Sequence, residues 1–175
     1  TTGAQSALDL IAKTFIDPGD IILAEGPTYL GALQAFSAYE PDVRCIPFDD
    51  EGMRMDLLEA ELERIGKDNP RLKFCYVIPN FQNPGGVTMV PERRKRLLEL
   101  SREYGFLVVE DDPYGRLRYD GGHMIPLKAL DSRVIYLGTI SKMFAPGLRT
   151  GWIVAPRDVL ARINLAKQGT DLCGS

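Results

Sequence analysis

Apolar residues recur along this chain in two alternating patterns. In some segments they are three or four residues apart, as at Ala4, Leu8, Ile11 and Phe15, which is typical of one buried face of a helix. Between such segments lie short apolar runs such as 74–78, which are typical of strands buried on both faces. The patterns predict helices at about 4–15, 30–39, 58–65, 91–104 and 157–168, and strands at 21–24, 43–46, 74–78, 106–109, 134–137 and 152–155.

The alternation of strands and helices predicts an α/β fold with three layers, α/β/α, around a mostly parallel sheet. Residues 1–175 contain no internal repeat, low-complexity stretch or linker, which favours a single domain. Ligands of such sheets bind at the carboxyl ends of the strands. Because several polar motifs directly follow predicted strands, we expect a ligand site at that edge.

Composition and charge exclude several classes of function. Lys and Arg number 21 against 24 Asp and Glu, a net charge of −3, which does not favour nucleic acid or an anionic membrane as partner. No apolar stretch approaches the roughly 20 residues that span a bilayer, and no signal peptide is visible. The single histidine, His123, gives no basis for a His-rich metal site, so no bound metal is expected.

The three cysteines, Cys45, Cys75 and Cys173, are widely spaced and include no Cys-x-x-Cys pair. That spacing argues against a disulfide framework and favours reduced thiols in a cytoplasmic protein. Cys45 and Cys75 lie in apolar runs and are predicted to be core residues.

Segment 138–149 places a lysine in a loop of small residues after a predicted strand. The amine of an ordinary lysine is protonated in water and is a poor nucleophile, but desolvation or a nearby positive charge makes it reactive toward an aldehyde. Arg149 adds a permanent charge suited to phosphate, and Thr139 and Ser141 add hydroxyl groups. The alternative is a surface loop in which Lys142 and Arg149 are accidental neighbours.

Three consecutive acids, Glu110, Asp111 and Asp112, follow the predicted strand 106–109. Adjacent carboxylates repel one another and therefore need an explanation. They are compatible with a metal site, with a carboxylate that pairs with a cationic heterocycle, or with helix capping. The segment alone leaves these three readings open.

Two further segments have shapes suited to a binding site. Segment 79–86 contains Asn83 among prolines and glycines, and an Asn-Pro bond can be cis. Residues 2–5 begin the first predicted helix, and the free N–H groups at such an end attract phosphate. Taken alone, the first segment is also compatible with an ordinary turn, and a lone glycine at a helix start is a weak signal.

Together these segments supply a phosphate cradle, an acid, an amide, a tyrosine and a lysine, the set needed to hold a phosphorylated pyridine aldehyde. They resemble the fold-type I pyridoxal-phosphate (PLP) enzymes of the class I/II aminotransferases, in particular the 2-aminoadipate and kynurenine aminotransferases. The resemblance covers essentially the whole chain in the family's order, in the motifs TTGAQSALDLIAKTF, EGPTY, PNFQNPGG, VVEDDPYGRLRY, IYLGTISKMFAPGLRTGW and AKQGTDL.

The resemblance implies pyridoxal 5′-phosphate as the cofactor, carried by Lys142 as a Schiff base. It assigns Asp111 to the pyridinium nitrogen, Asn83 and Tyr114 to the ring's phenolic oxygen, and Tyr29 to the ring face. Lys142, Asp111 and Tyr114 are then the expected catalytic residues.

The phosphate group is expected to meet Gly3, Ala4, Gln5, Thr139, Ser141 and Arg149. Relatives commonly have Ser at the position of Ala4, so one hydroxyl contact is in doubt here, whereas Thr139 keeps the hydroxyl of the usual Ser. Met143 and Phe144 are expected to be packing residues.

The resemblance also implies the large domain of a PLP-dependent transferase. The expected reaction moves an amino group between an amino acid (2-aminoadipate, aromatic or similar) and a 2-oxo acid such as 2-oxoglutarate, in a homodimer. Residues 1–175 would be the cofactor-binding domain, a fragment without the family's N-terminal arm and C-terminal small domain. The alternatives are a PLP-binding effector domain of a transcription regulator and another PLP reaction such as β-elimination.

Overall fold

A computed structural model describes residues 1–171 and 174, and its centre is a seven-stranded sheet in the order β3-β2-β1-β4-β5-β6-β7. The pairing is parallel except at the two edges, where β3 runs antiparallel to β2 and β7 antiparallel to β6. The strands are β1 (Ile21–Gly26), β2 (Asp42–Asp49), β3 (Gly52–Met53), β4 (Leu72–Val77), β5 (Leu107–Asp111), β6 (Ile135–Thr139) and β7 (Gly151–Val154).

The helices are α1 (Ala4–Phe15), α2 (Leu30–Ser37), α3 (Met55–Ile65), α4 (Pro91–Tyr104), α5 (Leu127–Leu130) and α6 (Arg157–Gln168). The predicted long helices are all present, and α2 ends two residues earlier than its apolar pattern suggested. The two-residue β3 and the four-residue α5 were not predicted, because elements this short have too few residues to show a period.

Helices cover both faces of the sheet, which confirms the predicted three-layer fold. One core cluster packs α3 and α4, through Leu58, Leu62 and Leu97, onto one face of the sheet. The second packs α1, α2 and α6, through residues such as Leu8 and Phe36, onto the other face. Successive strand residues alternate between the two clusters, as in Ile22 and Leu23 of β1 or Phe74 and Cys75 of β4, because strand side chains point to opposite faces in turn.

The cysteines lie in different environments. Cys75 is fully buried in β4, as predicted, but Cys45 is exposed, so its prediction as a core residue was wrong. Cys45 lies in β2, which is close to the edge of the sheet because only the short β3 lies beyond it. Ile46 is the one buried residue of β2. Cys173 and Leu172, which ends the motif AKQGTDL, lie outside the described residues. Within the described part of the chain, no helix is long and apolar enough to cross a membrane.

Two buried glutamates tie the strand ends to the loops that follow. Glu25, in β1, accepts a hydrogen bond of 2.9 Å from the backbone N–H of Ile78, just beyond β4. Glu110, in β5, accepts the backbone N–H groups of Leu127 and Lys128 at the start of α5, each at 2.9 Å. Burial raises the pKa of Glu25 to about 8 and that of Glu110 to about 7, because desolvation disfavours the charged form.

These raised pKa values predict how stability depends on pH. The folded chain binds protons on the two carboxyls more tightly than the unfolded chain, whose glutamates titrate near 4.5. The free energy of unfolding should therefore fall as the pH rises from about 4.5 to about 8, by up to about 1.4 kcal/mol per pH unit for each group. Urea denaturation at several pH values measures this slope.

The variant Glu25→Gln should flatten the slope, most clearly between pH 6 and 8, and Glu63→Gln, at an exposed position of α3, should leave it unchanged. A free energy of unfolding that rises with pH across this window would contradict the assignment.

Candidate functional site

A cavity of about 210 Å³ opens at the carboxyl ends of the strands. Every site residue named from the sequence lines it except Gly3, which lies directly behind it against Arg149. The lining residues are Ala4, Gln5, Tyr29, Ile78, Asn83, Asp111, Pro113, Tyr114, Thr139, Ser141, Lys142, Pro146 and Arg149. Ile78, Pro113 and Pro146 were not predicted, although each lies within or beside a motif that supplied a predicted residue.

One end of the cavity is formed by the N-terminus of α1 and by Arg149. Gly3 precedes α1 with a φ of +83°, and a Cβ atom added to it would lie 2.6 Å from Nη2 of Arg149. Nη2 of Arg149 also donates to the carbonyl oxygen of Thr2 at 3.4 Å. The first turn of α1 contains no acidic residue. Free helical N–H groups beside a guanidinium form a site suited to an anion.

The loop after β6 adds two hydroxyl groups to the same end. The side chain of Thr139 is buried and bonds the carbonyl oxygen of Thr150 at 2.9 Å. Its hydroxyl oxygen also accepts the backbone N–H of Ser141 at 3.1 Å and lies 3.0 Å from the hydroxyl of Ser141. This small network fixes the turn that brings Ser141 and Lys142 to the cavity.

Asp111 occupies the buried side of the cavity. Its Oδ2 atom accepts a hydrogen bond of 2.7 Å from the hydroxyl of Tyr76, whereas Oδ1 is buried and has no hydrogen-bond partner among the described residues. Burial raises the pKa of Asp111 to about 6, with a smaller increase from the neighbouring charge of Asp112 and an opposing decrease from the Tyr76 hydroxyl. A carboxylate with one free buried oxygen is poised to accept a donor from a ligand.

The three consecutive acids serve three different purposes. Glu110 accepts backbone N–H groups at the start of α5, and Asp111 faces the cavity. Asp112 accepts hydrogen bonds from the side chain of Asn80 at 2.9 Å and from the backbone N–H of Gly115 at 3.0 Å. Among the described residues, no group of His, Cys, Asp and Glu side chains is arranged to hold a metal ion.

Lys142 lies at the open side of the cavity, in a turn that begins after β6. The sequence suggested a desolvated amine, but the side chain is exposed in this chain, and the adjacent Met143 and Phe144 are exposed as well. Met143 and Phe144 were expected to be packing residues, and within the described residues that expectation was wrong. Neither Lys142 nor Arg149 forms an ion pair with a carboxylate of the described residues.

Tyr29, at the start of α2, stands beside the helix α1. Its hydroxyl donates to Oε1 of Gln5 at 3.3 Å, and Nε2 of Gln5 donates to the carbonyl oxygen of Gly31 at 2.7 Å. A Cβ atom on Gly31 would lie 2.5 Å from the Tyr29 ring, so the ring comes this close to the backbone of α2 only because residue 31 is glycine.

The family model for aminotransferase class I and II matches residues 1–170 of the chain. The chain belongs to this family. An aromatic-amino-acid aminotransferase from Thermococcus litoralis is 57% identical to this chain. The matched region covers 99% of this chain and 42% of the Thermococcus protein. A 2-aminoadipate transaminase from Thermus thermophilus is 45% identical to this chain. The matched region covers 98% of this chain and 43% of the Thermus protein.

The fold is shared with solved structures of the family. The kynurenine aminotransferase of Pyrococcus horikoshii, whose crystal structure contains PMP, is 55% identical and superposes with a TM-score of 0.96. This chain is covered to 99%, and the Pyrococcus chain to 44%. The chain thus spans less than half the length of these relatives.

In this aminotransferase-family chain, the loop that carries Asn83 is held by a buried arginine that sequence reasoning missed. Arg94, in α4, is 1% exposed and donates from Nη2 to the carbonyl oxygen of Pro79 at 2.7 Å and to Oδ1 of Asn80 at 2.8 Å. Its Nε donates to the carbonyl oxygen of Met89 at 2.8 Å. A basic residue in a charged helix gives no sequence signal of burial, because its neighbours Arg93, Lys95 and Arg96 are charged as well.

Gln82 closes the same loop. Its Nε2 donates to the carbonyl oxygen of Pro27 at 2.8 Å, and its Oε1 accepts the backbone N–H of Gly85 at 2.7 Å. The Asn83–Pro84 bond is cis, as the sequence allowed, and so is Gly26–Pro27. The loops after β1 and β4 are therefore joined by side chains, which keeps Tyr29 and Asn83 on the same cavity.

The contact between Gly3 and Arg149 predicts a defect in anion binding. Gly3→Ala should displace the flexible guanidinium and weaken the binding of inorganic phosphate roughly tenfold, the value of one charge-assisted hydrogen bond. Isothermal titration calorimetry with phosphate measures it.

Gly66→Ala is the matched control, since Gly66 has a φ of +85° and no atom near its Cβ position. Both variants introduce the same left-handed strain, so equal phosphate affinity in the two would disprove a role for the Gly3 contact.

Proposed function

We propose that this chain binds pyridoxal 5′-phosphate in the cavity and that the protein it belongs to transfers amino groups between amino acids and 2-oxo acids. The observation that carries the proposal is that one cavity is lined by three groups with different chemical properties. These are the amine of Lys142, the buried carboxylate of Asp111 and the anion site of α1 and Arg149.

The residues present fit the cofactor. The free Oδ1 of Asp111 is an acceptor in need of a donor, and the protonated nitrogen of a pyridine ring is such a donor. Arg149, which forms no ion pair among the described residues, and the first turn of α1 suit a phosphate group. These two features line the same cavity, as a ring with a phosphate arm requires.

Each predicted residue receives a role in this proposal. Lys142 would bond the aldehyde carbon, Asp111 would accept the ring N–H, and Asn83 and Tyr114 would bind the phenolic oxygen. Tyr29 would contact the ring face. The phosphate group would be held by Gly3, Ala4, Gln5, Thr139, Ser141 and Arg149.

When bound, the cofactor supplies an electron sink for the bonds at the substrate's α-carbon. Asp111 keeps the ring nitrogen protonated by staying ionised next to it. Nζ of Lys142, which lines the cavity, would take a proton from the substrate's α-carbon and return it to the cofactor. Tyr114 and Asn83 would orient the ring by binding its phenolic oxygen.

The names of the relatives point to the substrates. The Thermococcus, Thermus and Pyrococcus proteins are named for aromatic amino acids, 2-aminoadipate and kynurenine. We propose an amino acid of this kind as the amino donor and a 2-oxo acid such as 2-oxoglutarate as the acceptor. Residues 1–175 act as the cofactor-binding domain in this proposal.

We also propose a homodimer in the cytoplasm. Phe144 is 81% exposed and Leu148 is 45% exposed, beside the cavity, and apolar side chains at such positions are suited to an interface. The unpaired thiol of Cys75 agrees with a reducing compartment. Light scattering of the full-length protein measures the oligomeric state.

Attachment of the cofactor to Lys142 is directly testable. Borohydride reduction of the cofactor-loaded, full-length protein should fix the label on the peptide that contains Lys142. Lys142→Ala should lose the label, whereas Lys95→Ala, at an exposed position of α4, should keep it. Mass spectrometry of the digested protein locates the adduct, and an adduct on another lysine would refute the assignment.

The reaction itself is tested by its products. The full-length protein, given 2-aminoadipate or an aromatic amino acid with 2-oxoglutarate, should form a new 2-oxo acid and glutamate in equal amounts. Lys142→Ala should slow this by roughly a hundredfold or more, the usual contribution of a positioned acid–base group. Residues 1–175 alone are expected to turn over more slowly, because Lys142 is exposed in them.

Other products would favour the other functions. Release of ammonia without a new amino acid would indicate β-elimination, and saturable cofactor binding without turnover would indicate an effector domain.

A further inference from the structure

We propose that Tyr76 is a positioning residue for the cofactor's ring nitrogen, which it serves by holding the carboxylate of Asp111 in one orientation. The proposal rests on the proposed function, since it assigns the nitrogen of pyridoxal phosphate to Asp111. Tyr76 does not line the cavity, so it acts only through Asp111.

Strand pairing brings the two side chains together. Tyr76 in β4 lies opposite Val109 in β5, and Asp111 is two residues further along β5. Residues two apart on a strand share a face, so Asp111 and Tyr76 lie on the same side of the sheet. Both are buried, with 0% of Tyr76 and 4% of Asp111 exposed.

The hydrogen bond divides the carboxylate into two unlike oxygens. The Tyr76 hydroxyl donates to Oδ2 at 2.7 Å, and Oδ1 has no partner among the described residues. A carboxylate without such an anchor rotates about its last side-chain bond. With Oδ2 anchored, Oδ1 is the oxygen left to accept the ligand's N–H.

Tyr76 is a dependable donor at this site. Burial raises its pKa well above the ordinary value, and the nearby charges of Asp111 and Glu25 raise it further, so the hydroxyl keeps its proton. Its hydrogen bond in turn lowers the pKa of Asp111, against desolvation and the charge of Asp112. Without Tyr76 the carboxyl would be protonated at a higher pH and would lose its attraction for a cationic ring.

The tyrosine ring is held independently of its hydroxyl. It packs edge-to-face against Phe36, with ring centroids 5.5 Å apart, and Phe36 packs in the same way against Phe74 at 5.4 Å. Phenylalanine at position 76 keeps this packing and removes only the donor. Tyr76→Phe therefore isolates the hydrogen bond.

The test compares two ligands that differ at one ring atom. The full-length apoprotein and its Tyr76→Phe variant are titrated with pyridoxamine 5′-phosphate and with the analogue in which C–H replaces the ring nitrogen. Tyr76→Phe should weaken pyridoxamine phosphate roughly tenfold, the value of one hydrogen bond to a charged group. The carbon analogue, which cannot use Asp111, should lose less than about twofold.

Tyr136→Phe is the matched control, because its hydroxyl bonds the adjacent carboxylate, Asp112, at 3.3 Å. It should change neither affinity by more than about twofold. An equal loss for both ligands in Tyr76→Phe would show a packing effect and overturn the proposal, as would no loss for either. If the unaltered protein bound neither ligand, the proposed function itself would fail. If it bound both and Tyr76→Phe bound them as the wild type does, this inference alone would fail.

A measurement on the unaltered protein decides the matter if Tyr76→Phe does not fold. The hydroxyl proton of Tyr76 is buried and should give a slowly exchanging NMR signal. That signal should shift when pyridoxamine phosphate binds and stay in place with the carbon analogue, and the opposite pattern would overturn the proposal.

Discussion

Four parallel strands, β1, β4, β5 and β6, end at one edge of the sheet, and the cavity exists because the loops that follow them meet there. The chain leaves β1 through α2 on one face of the sheet and leaves β4 through α4 on the other face. The two connections therefore diverge at the boundary between β1 and β4, and a crevice opens between them. Core packing on both faces fixes the strands, and the strand ends in turn fix the site.

The antiparallel edge formed by β7 also matters to the site. Because β7 returns beside β6, the connecting segment that carries Lys142 and Arg149 stays at the same edge. Gly151, the first residue of β7, donates its N–H to the carbonyl oxygen of Thr1 at 3.0 Å. A side chain at position 151 would collide with the backbone of Gly3, so only glycine allows this contact. The start of α1 is thereby held against the loop that bears Arg149.

Buried polar side chains, rather than apolar contacts, set the shape of the cavity wall. Glu25 accepts a hydrogen bond from the backbone after β4, whereas Gln82 donates to the backbone after β1 and Arg94 to the backbone after β4. Glu25, Glu110 and Asp111 are buried, and their pKa values are raised because desolvation opposes their charge. Glu25 uses that carboxyl for structure, whereas Asp111 keeps one oxygen available.

The sequence by itself determined the layers of the fold, since the apolar periods of 2 and 3.6 residues identify buried strands and helices without further information. Its motifs also indicated nearly every residue that lines the cavity, because short loops after parallel strands must lie at one edge.

Tertiary structure alone decided what the charged residues do. Glu110, Asp111 and Asp112 are equivalent in the sequence but turn to three different environments, and Arg94 is buried within a run of charged residues. Burial depends on what packs above a side chain, and those neighbours come from distant parts of the chain. For the same reason only the structure showed that Lys142 is exposed and that Tyr76 bonds Asp111.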